Sequence, residues 1–142
     1  MGDNRNTCLL TDESGFAKQG KGSVGVCRQW LGRFGEADNG QVAVFGALAY
    51  KAYLAPVNVR FYLPQEWTDD PKLCELAGIP KDEQKFHTKP ELALNIVKHA
   101  RENGLNYGWV GTDAEWPIIR LEIGVPGIII WPCDDVNAVY AF

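Results

Sequence analysis

Leu9-Leu10-Thr11-Asp12-Glu13-Ser14-Gly15-Phe16-Ala17-Lys18 is the stretch on which the reading of this chain turns. Cys8 to Leu10 is a short apolar run that reads as a buried strand. It runs into two adjacent carboxylates, Asp12 and Glu13, and then into a glycine-rich loop with basic side chains. Acids at the C-terminal end of a central strand can hold a metal ion, because the strand is rigid and its end opens to solvent. The plainer alternative is that the two acids begin a turn.

The composition frames the possibilities. A chain of 142 residues that is 46% hydrophobic, with five Trp, is long and apolar enough for one folded domain. The net charge of −4 excludes a protein coated in basic charge. Between Gly15 and Gly35, however, the charged residues are Lys18, Lys21, Arg28 and Arg33, with no acid among them. That local cationic stretch in an acidic chain is a positional signal for an anionic partner. The polar N-terminus has no signal-peptide core, and the dense apolar run Gly127 to Trp131 is too short to span a bilayer. A cytoplasmic protein with no membrane partner is expected. Cys8, Cys27, Cys74 and Cys133 form no C-x-x-C pair, and His87 and His99 lack metal-ligand spacing. They read as ordinary thiols and imidazoles.

Outward from the acidic stretch, hydrophobic periodicity places a first strand over Thr7 to Thr11 and a short one within Val24 to Trp30. Gln41 to Tyr53 is rich in β-formers. Val57 to Leu63 alternates Val57, Val59, Phe61 and Leu63 against Asn58, Arg60 and Tyr62, a strand with one wetter face. The two segments predict an antiparallel hairpin turning near Leu54-Ala55-Pro56. Asp70-Pro71 starts a short helix that stops at Gly78. Thr88-Lys89-Pro90-Glu91 opens a longer one, with Leu92, Ala93, Ile96, Val97 and Ala100 on one face and Gly104 as its stop. Leu105 to Gly111 is a strand ending at Thr112-Asp113. A helix over Glu115 to Ile123, a buried strand over Gly127 to Trp131 and a strand over Val136 to Phe142 complete the pattern. A hairpin followed by strands alternating with helices predicts an α/β fold with a mixed sheet.

Three chemistries compete for the acidic strand and its loop. Gly15-x-x-x-x-Gly20-Lys21 nearly matches a nucleotide-binding P-loop, but Gly22 stands where Ser or Thr should meet magnesium, and no helix start comes after it. Gly20-x-Gly22-x-x-Gly25 also matches a dinucleotide fingerprint, yet lies too far past the strand and opens no helix. The third pairs Asp12 with Asp113, since both close apolar strands. Two carboxylates at one sheet edge can bridge divalent ions about 3.5–4 Å apart, and oxygen-only ligands suit Mg²⁺ or Mn²⁺. Read alone, Asp113 could equally cap a helix.

Several blocks carry a resemblance that favours the third chemistry. They are Thr11-Asp12-Glu13-Ser14-Gly15-Phe16-x-Lys18-x-Gly20, Ser23-Val24-Gly25-Val26-x-Arg28-Gln29, Asn39-Gly40-Gln41-Val42, Tyr62-Leu63-Pro64-x-x-Trp67-x-Asp69-Asp70-Pro71, Ala77-Gly78-Ile79-Pro80, Thr88-Lys89-Pro90-Glu91-Leu92-Ala93 and Trp109-Val110-x-Thr112-Asp113. Together they resemble the catalytic domain of DDE-type bacterial insertion-sequence transposases over roughly residues 9 to 113. The resemblance implies a ribonuclease-H-like mixed sheet with flanking helices, and Mg²⁺- or Mn²⁺-dependent cleavage and transfer of DNA strands. Asp12 and Asp113 would be the first two catalytic, metal-holding acids. Lys18, Arg28 and Gln29 match motif positions that would lie along DNA, and Lys21 and Arg33 join them by charge, with transposon ends as the partner and a homo-oligomer allowed for. Two departures stand out. The second acid continues as Ala114-Glu115-Trp116-Pro117 where the family has Tyr-Gly, and the third acid, a Glu on a later helix, has no counterpart before Phe142. The chain therefore reads as one partial domain, truncated at the C-terminus and inactive by itself, or as a DNA-binding remnant.

Overall fold

The computed structural model describes residues 6–113 and 128–131 of the chain. Six strands form one mixed sheet: β1 (Thr7–Ala17), β2 (Cys27–Leu31), β3 (Glu36–Tyr50), β4 (Tyr53–Phe61), β5 (Trp109–Asp113) and β6 (Ile128–Trp131). Their order is β2-β3-β1-β5-β6, with β4 also pairing to β3. β1 and β5 run parallel, as do β5 and β6, whereas β2 and β3 are antiparallel. Among the described residues three α-helices accompany them, α1 (Gln65–Thr68), α2 (Pro71–Leu76) and α3 (Lys89–Glu102), with a 3-10 turn over Lys81–Glu83. This is the α/β mixed sheet expected of a ribonuclease-H-like core. No helix among the described residues is long and apolar enough to cross a membrane. The expected helix over Glu115 to Ile123 and strand over Val136 to Phe142 lie outside the described residues.

The chain divides into two compact units. The first holds β1 up to Asp12, residues 45–59, and the described residues from Pro90 onward. Its core is apolar strand against amphipathic helix. Leu9 and Val110 are fully buried on adjacent strands, and α3 buries Leu92, Ala93, Leu94, Ile96, Val97 and Ala100. Five of those six lie on the face that periodicity marks. A Cβ at Gly46 on β3 would come within 2.5 Å of Ile96 Cγ2, so a residue without a side chain lets the helix lie close to the sheet. Gly104, at φ +70°, ends the helix. Tyr107 then donates its hydroxyl to Val97 O at 3.2 Å, which holds the returning chain against α3.

The second unit comprises residues 13–44 and 60–89. Its core is Leu63, Trp67 and Cys74, packed against Val24, Leu73, Ala77 and Ile79. Asp70 caps α2, with Oδ1 accepting from Lys72 N and Leu73 N at 3.1 Å each. Trp67 is buried and donates its indole N–H to Val26 O at 3.0 Å, which fixes the base of the glycine-rich loop to α1.

Two local expectations are corrected and a third is made specific. β1 does not stop at Thr11; it continues through both acids to Ala17, and Lys18 N then donates to Asn39 O at 3.0 Å. Pairing with a neighbouring strand overrides the turn propensity of Ser14-Gly15. The hairpin reverses at Lys51, whose φ of +52° supplies the left-handed residue a tight turn needs, and Leu54-Ala55-Pro56 lies inside β4. On β4 the wetter face is the apolar one: Val57, Val59 and Phe61 are exposed. Asn58 Nδ2 instead meets His99 Nδ1 at 3.2 Å, and Arg60 pairs with Glu83 at 3.9 Å.

Candidate functional site

The strand register organises the acids. β1 and β5 pair Cys8 with Trp109, Leu9 with Val110 and Leu10 with Gly111. The offset is 101 residues (109 − 8), and Asp12 and Asp113 share it (113 − 12). The paired residues end at Leu10–Gly111, and Asp12 and Asp113 lie two residues further along β1 and β5 at the same offset; neighbouring strands in a sheet lie about 4.8 Å apart. Thr11 Oγ1 donates to Gly111 O at 3.4 Å one step before, so the strands are still joined there. Asp12 is exposed and stands in mid-strand, whereas Asp113 is the last residue of β5. The expectation that Asp12 ends its strand is therefore not met, since β1 runs on to Ala17. Asp113 pairs in turn with Trp131 on β6.

Aspartate carboxylates are hard oxygen donors, which suit Mg²⁺ or Mn²⁺ over softer metals. Among the described residues there is no group of three or more His, Cys, Asp or Glu placed to hold a metal. Cys8 is two steps along β1 from Leu10. Burial pushes its thiol up to about 11, only partly offset by a hydrogen bond with the Gly111 backbone, so it stays a neutral thiol at physiological pH.

The second unit holds the cationic residues. Lys18, Lys21, Arg28 and Arg33 are all exposed, and none makes an ion pair among the described residues. Lys18 comes directly after β1, Lys21 lies in the glycine loop, Arg28 is on β2 and Arg33 is in the turn between β2 and β3. Gln29 behaves differently. Its Nε2 donates to Gly40 O at 2.8 Å and Gly25 O at 3.3 Å, so this amide braces the loop from within. The loop has no helix start behind it, because the chain enters β2, and Gly15 is buried inside β1 with Leu31 Cδ2 2.8 Å from where a Cβ would stand. Neither feature suits a P-loop.

Sequence reasoning missed one charged group here. Glu13 pairs with Lys89 at 2.8 Å, and the Lys89 ammonium lies 5.5 Å from the centroid of the Tyr62 ring. Burial, then the neighbouring Cys27 and Glu13, push the Tyr62 phenol above its ordinary value. Glu13 and Lys89 are far apart in sequence, and the only available signal was that both fall within the resembling blocks. Trp30 on β2 and Phe34 in the β2–β3 turn, both exposed, gave no signal in the sequence either.

Residues 1–118 match the family described as DDE superfamily endonuclease. The chain is similar to a probable transposase for insertion sequence element IS701 from Microchaete diplosiphon, with 31% identity over 110 residues. That match takes in 78% of this chain and 26% of the relative, so the chain spans about a quarter of the curated protein it resembles. No solved structure matches the chain.

Proposed function

Because the chain belongs to the DDE superfamily endonuclease family, we propose that it is a part of a transposase catalytic domain in which Asp12 and Asp113 hold divalent metal. The observation that carries this reading is the 101-residue offset that the acids share with the β1–β5 ladder. Bound Mg²⁺ or Mn²⁺ would supply an activated oxygen nucleophile and charge neutralisation at phosphorus during in-line displacement. The chain's own part is to fix two oxygen donors on a backbone that does not move. Lys18, Lys21, Arg28 and Arg33 lie along the DNA backbone and orient it, without reading its sequence. Gln29 serves that contact indirectly, by shaping the loop. The DNA is the transposon end, the reaction of the family is strand cleavage and transfer, and the cytoplasm is where it takes place.

The test is a thermal melt of the 142-residue chain against Mn²⁺ and Mg²⁺. Ligand that binds only the folded state raises the melting temperature. Asp12→Asn and Asp113→Asn should each abolish that rise while leaving the metal-free melt cooperative. If both variants keep the wild-type rise, the acids are not the ligands. With two of the family's three acids assigned, metal binding without nicking of supercoiled plasmid is the expected result. Metal-dependent nicking that Asp12→Asn removes would show that a third donor is supplied.

One observation favours a second reading. The four exposed cations make no ion pair among the described residues, which suits a non-catalytic DNA-binding remnant. That reading requires salt-sensitive DNA binding that is indifferent to EDTA and to Asp12→Asn.

A further inference from the structure

The glycine-rich loop after β1 is tied down almost entirely by its carbonyl oxygens. Asn39 Nδ2 donates to Lys18 O at 2.7 Å and to Gly20 O at 2.8 Å. Gln41 Nε2 donates to Val24 O at 2.7 Å, and Gln29 and Trp67 take the carbonyls of Gly25 and Val26. All these donors come from the framework of the same compact unit.

The planar trans peptide turns this into a statement about the amides. In each peptide unit the C=O and the next residue's N–H point in opposite directions. One nitrogen on Asn39 draws in the carbonyls of residues 18 and 20, so the N–H groups of Gln19 and Lys21 are directed away from it. Both residues are exposed, and neither amide donates to any described residue. Gly20 between them sits at φ +97° with open space around it, a conformation that a side-chain-bearing residue resists. Lys18 and Lys21 add two ammonium groups, with no acid from Gly15 to Gly35 to cancel them. Outward amides on either side of a left-handed glycine, beside cations, form an anion-binding concavity.

We propose that residues Lys18 to Lys21 form a preset cradle for one backbone phosphodiester of DNA, built from the Gln19 and Lys21 amides and the two lysine ammonium groups, with Asn39 as its positioning residue. This rests on the reading that the second unit contacts DNA. The cradle binds phosphate through groups that carry no base information, so it serves strand placement and not target choice. Its order before binding removes part of the entropic cost of fixing a glycine-rich loop.

The experiment measures binding of the full 142-residue chain to a fluorescein-labelled mixed-sequence duplex by anisotropy, as a function of salt. Lys18→Gln and Lys21→Gln should each weaken binding and reduce the slope of log K against log salt by about one. Asn39→Ala and Gly20→Ala keep every charge, and should weaken binding about tenfold with the slope unchanged, since lost amide contacts release no counterions. Asn103→Ala removes a similar side-chain bond, Asn103 Nδ2 to His99 O, in the other unit and should leave affinity alone, which separates loop shape from general destabilisation. If the lysine variants weaken binding but Asn39→Ala and Gly20→Ala do not, the loop is a flexible charged tether and the cradle is overturned, while the DNA reading survives. If the wild-type chain shows no salt-dependent binding, the DNA reading itself fails. Displacement of the duplex by millimolar ATP at constant ionic strength would mean that the loop takes a free nucleotide, and would also overturn the proposal.

Discussion

Gly25 has no room for a side chain. Its φ is +71°, and a Cβ there would stand 2.5 Å from Tyr62 O, a backbone atom that cannot swing aside. Gly25→Ala therefore combines left-handed strain with a backbone clash, and should cost roughly 3 kcal/mol, read as a fall in the urea midpoint with an unchanged m-value. Cys8 gives a pH prediction. Its folded thiol is raised from 9.0 to about 11, so the native state keeps a proton that the unfolded chain releases first. Stability is then constant below about pH 9 and falls between about pH 9 and pH 11, and Cys8→Ala should flatten that alkaline limb in thermal melts. Asp12 shows how far single residues can be read. Its carboxylate type and place after an apolar run were legible, and so was its partner Asp113. Its mid-strand position was not, because only pairing with β3 keeps the chain extended through Glu13, Ser14 and Gly15.

Among the elements, α2 and α3 were legible because helix signals are local. Asp70-Pro71 and Gly78 bracket α2, and the apolar spacing of α3 names its buried face. Asp70→Ala should cost about 1 kcal/mol, through loss of the two cap bonds, in the same denaturant assay. The four-residue α1 was not legible, since Gln65-Glu66-Trp67-Thr68 has no periodicity to detect. Trp67 nevertheless anchors the second unit, and its indole is what reaches Val26 O. On β4, the alternation was legible and its direction was not. Period two says that two faces differ; it does not say which one is covered. Asn58 and Arg60 found partners, and that left Val57 and Val59 outside.

At the scale of the whole molecule, Tyr53, Val57 and Val59 lie exposed on a strand whose partner among the described residues is β3. Exposed apolar edge strands are templates for pairing with further chains. The sedimentation coefficient should therefore rise with protein concentration, and Val59→Lys should suppress the rise; a coefficient independent of concentration would show that the stripe is harmless. The amino-acid sequence by itself determined the α/β class, the two acids and their separation, the basic stretch and the family, because these reside in local pattern and in recognisable blocks. Tertiary structure alone decided that the 101-residue separation is also the register of two neighbouring parallel strands, since register is set by long-range pairing that no local window contains. It also decided the course of the chain beyond the first acid. That stretch is an extended strand leading into a loop whose carbonyls are held by Asn39, Gln41, Gln29 and Trp67, side chains brought to it from other strands and a helix.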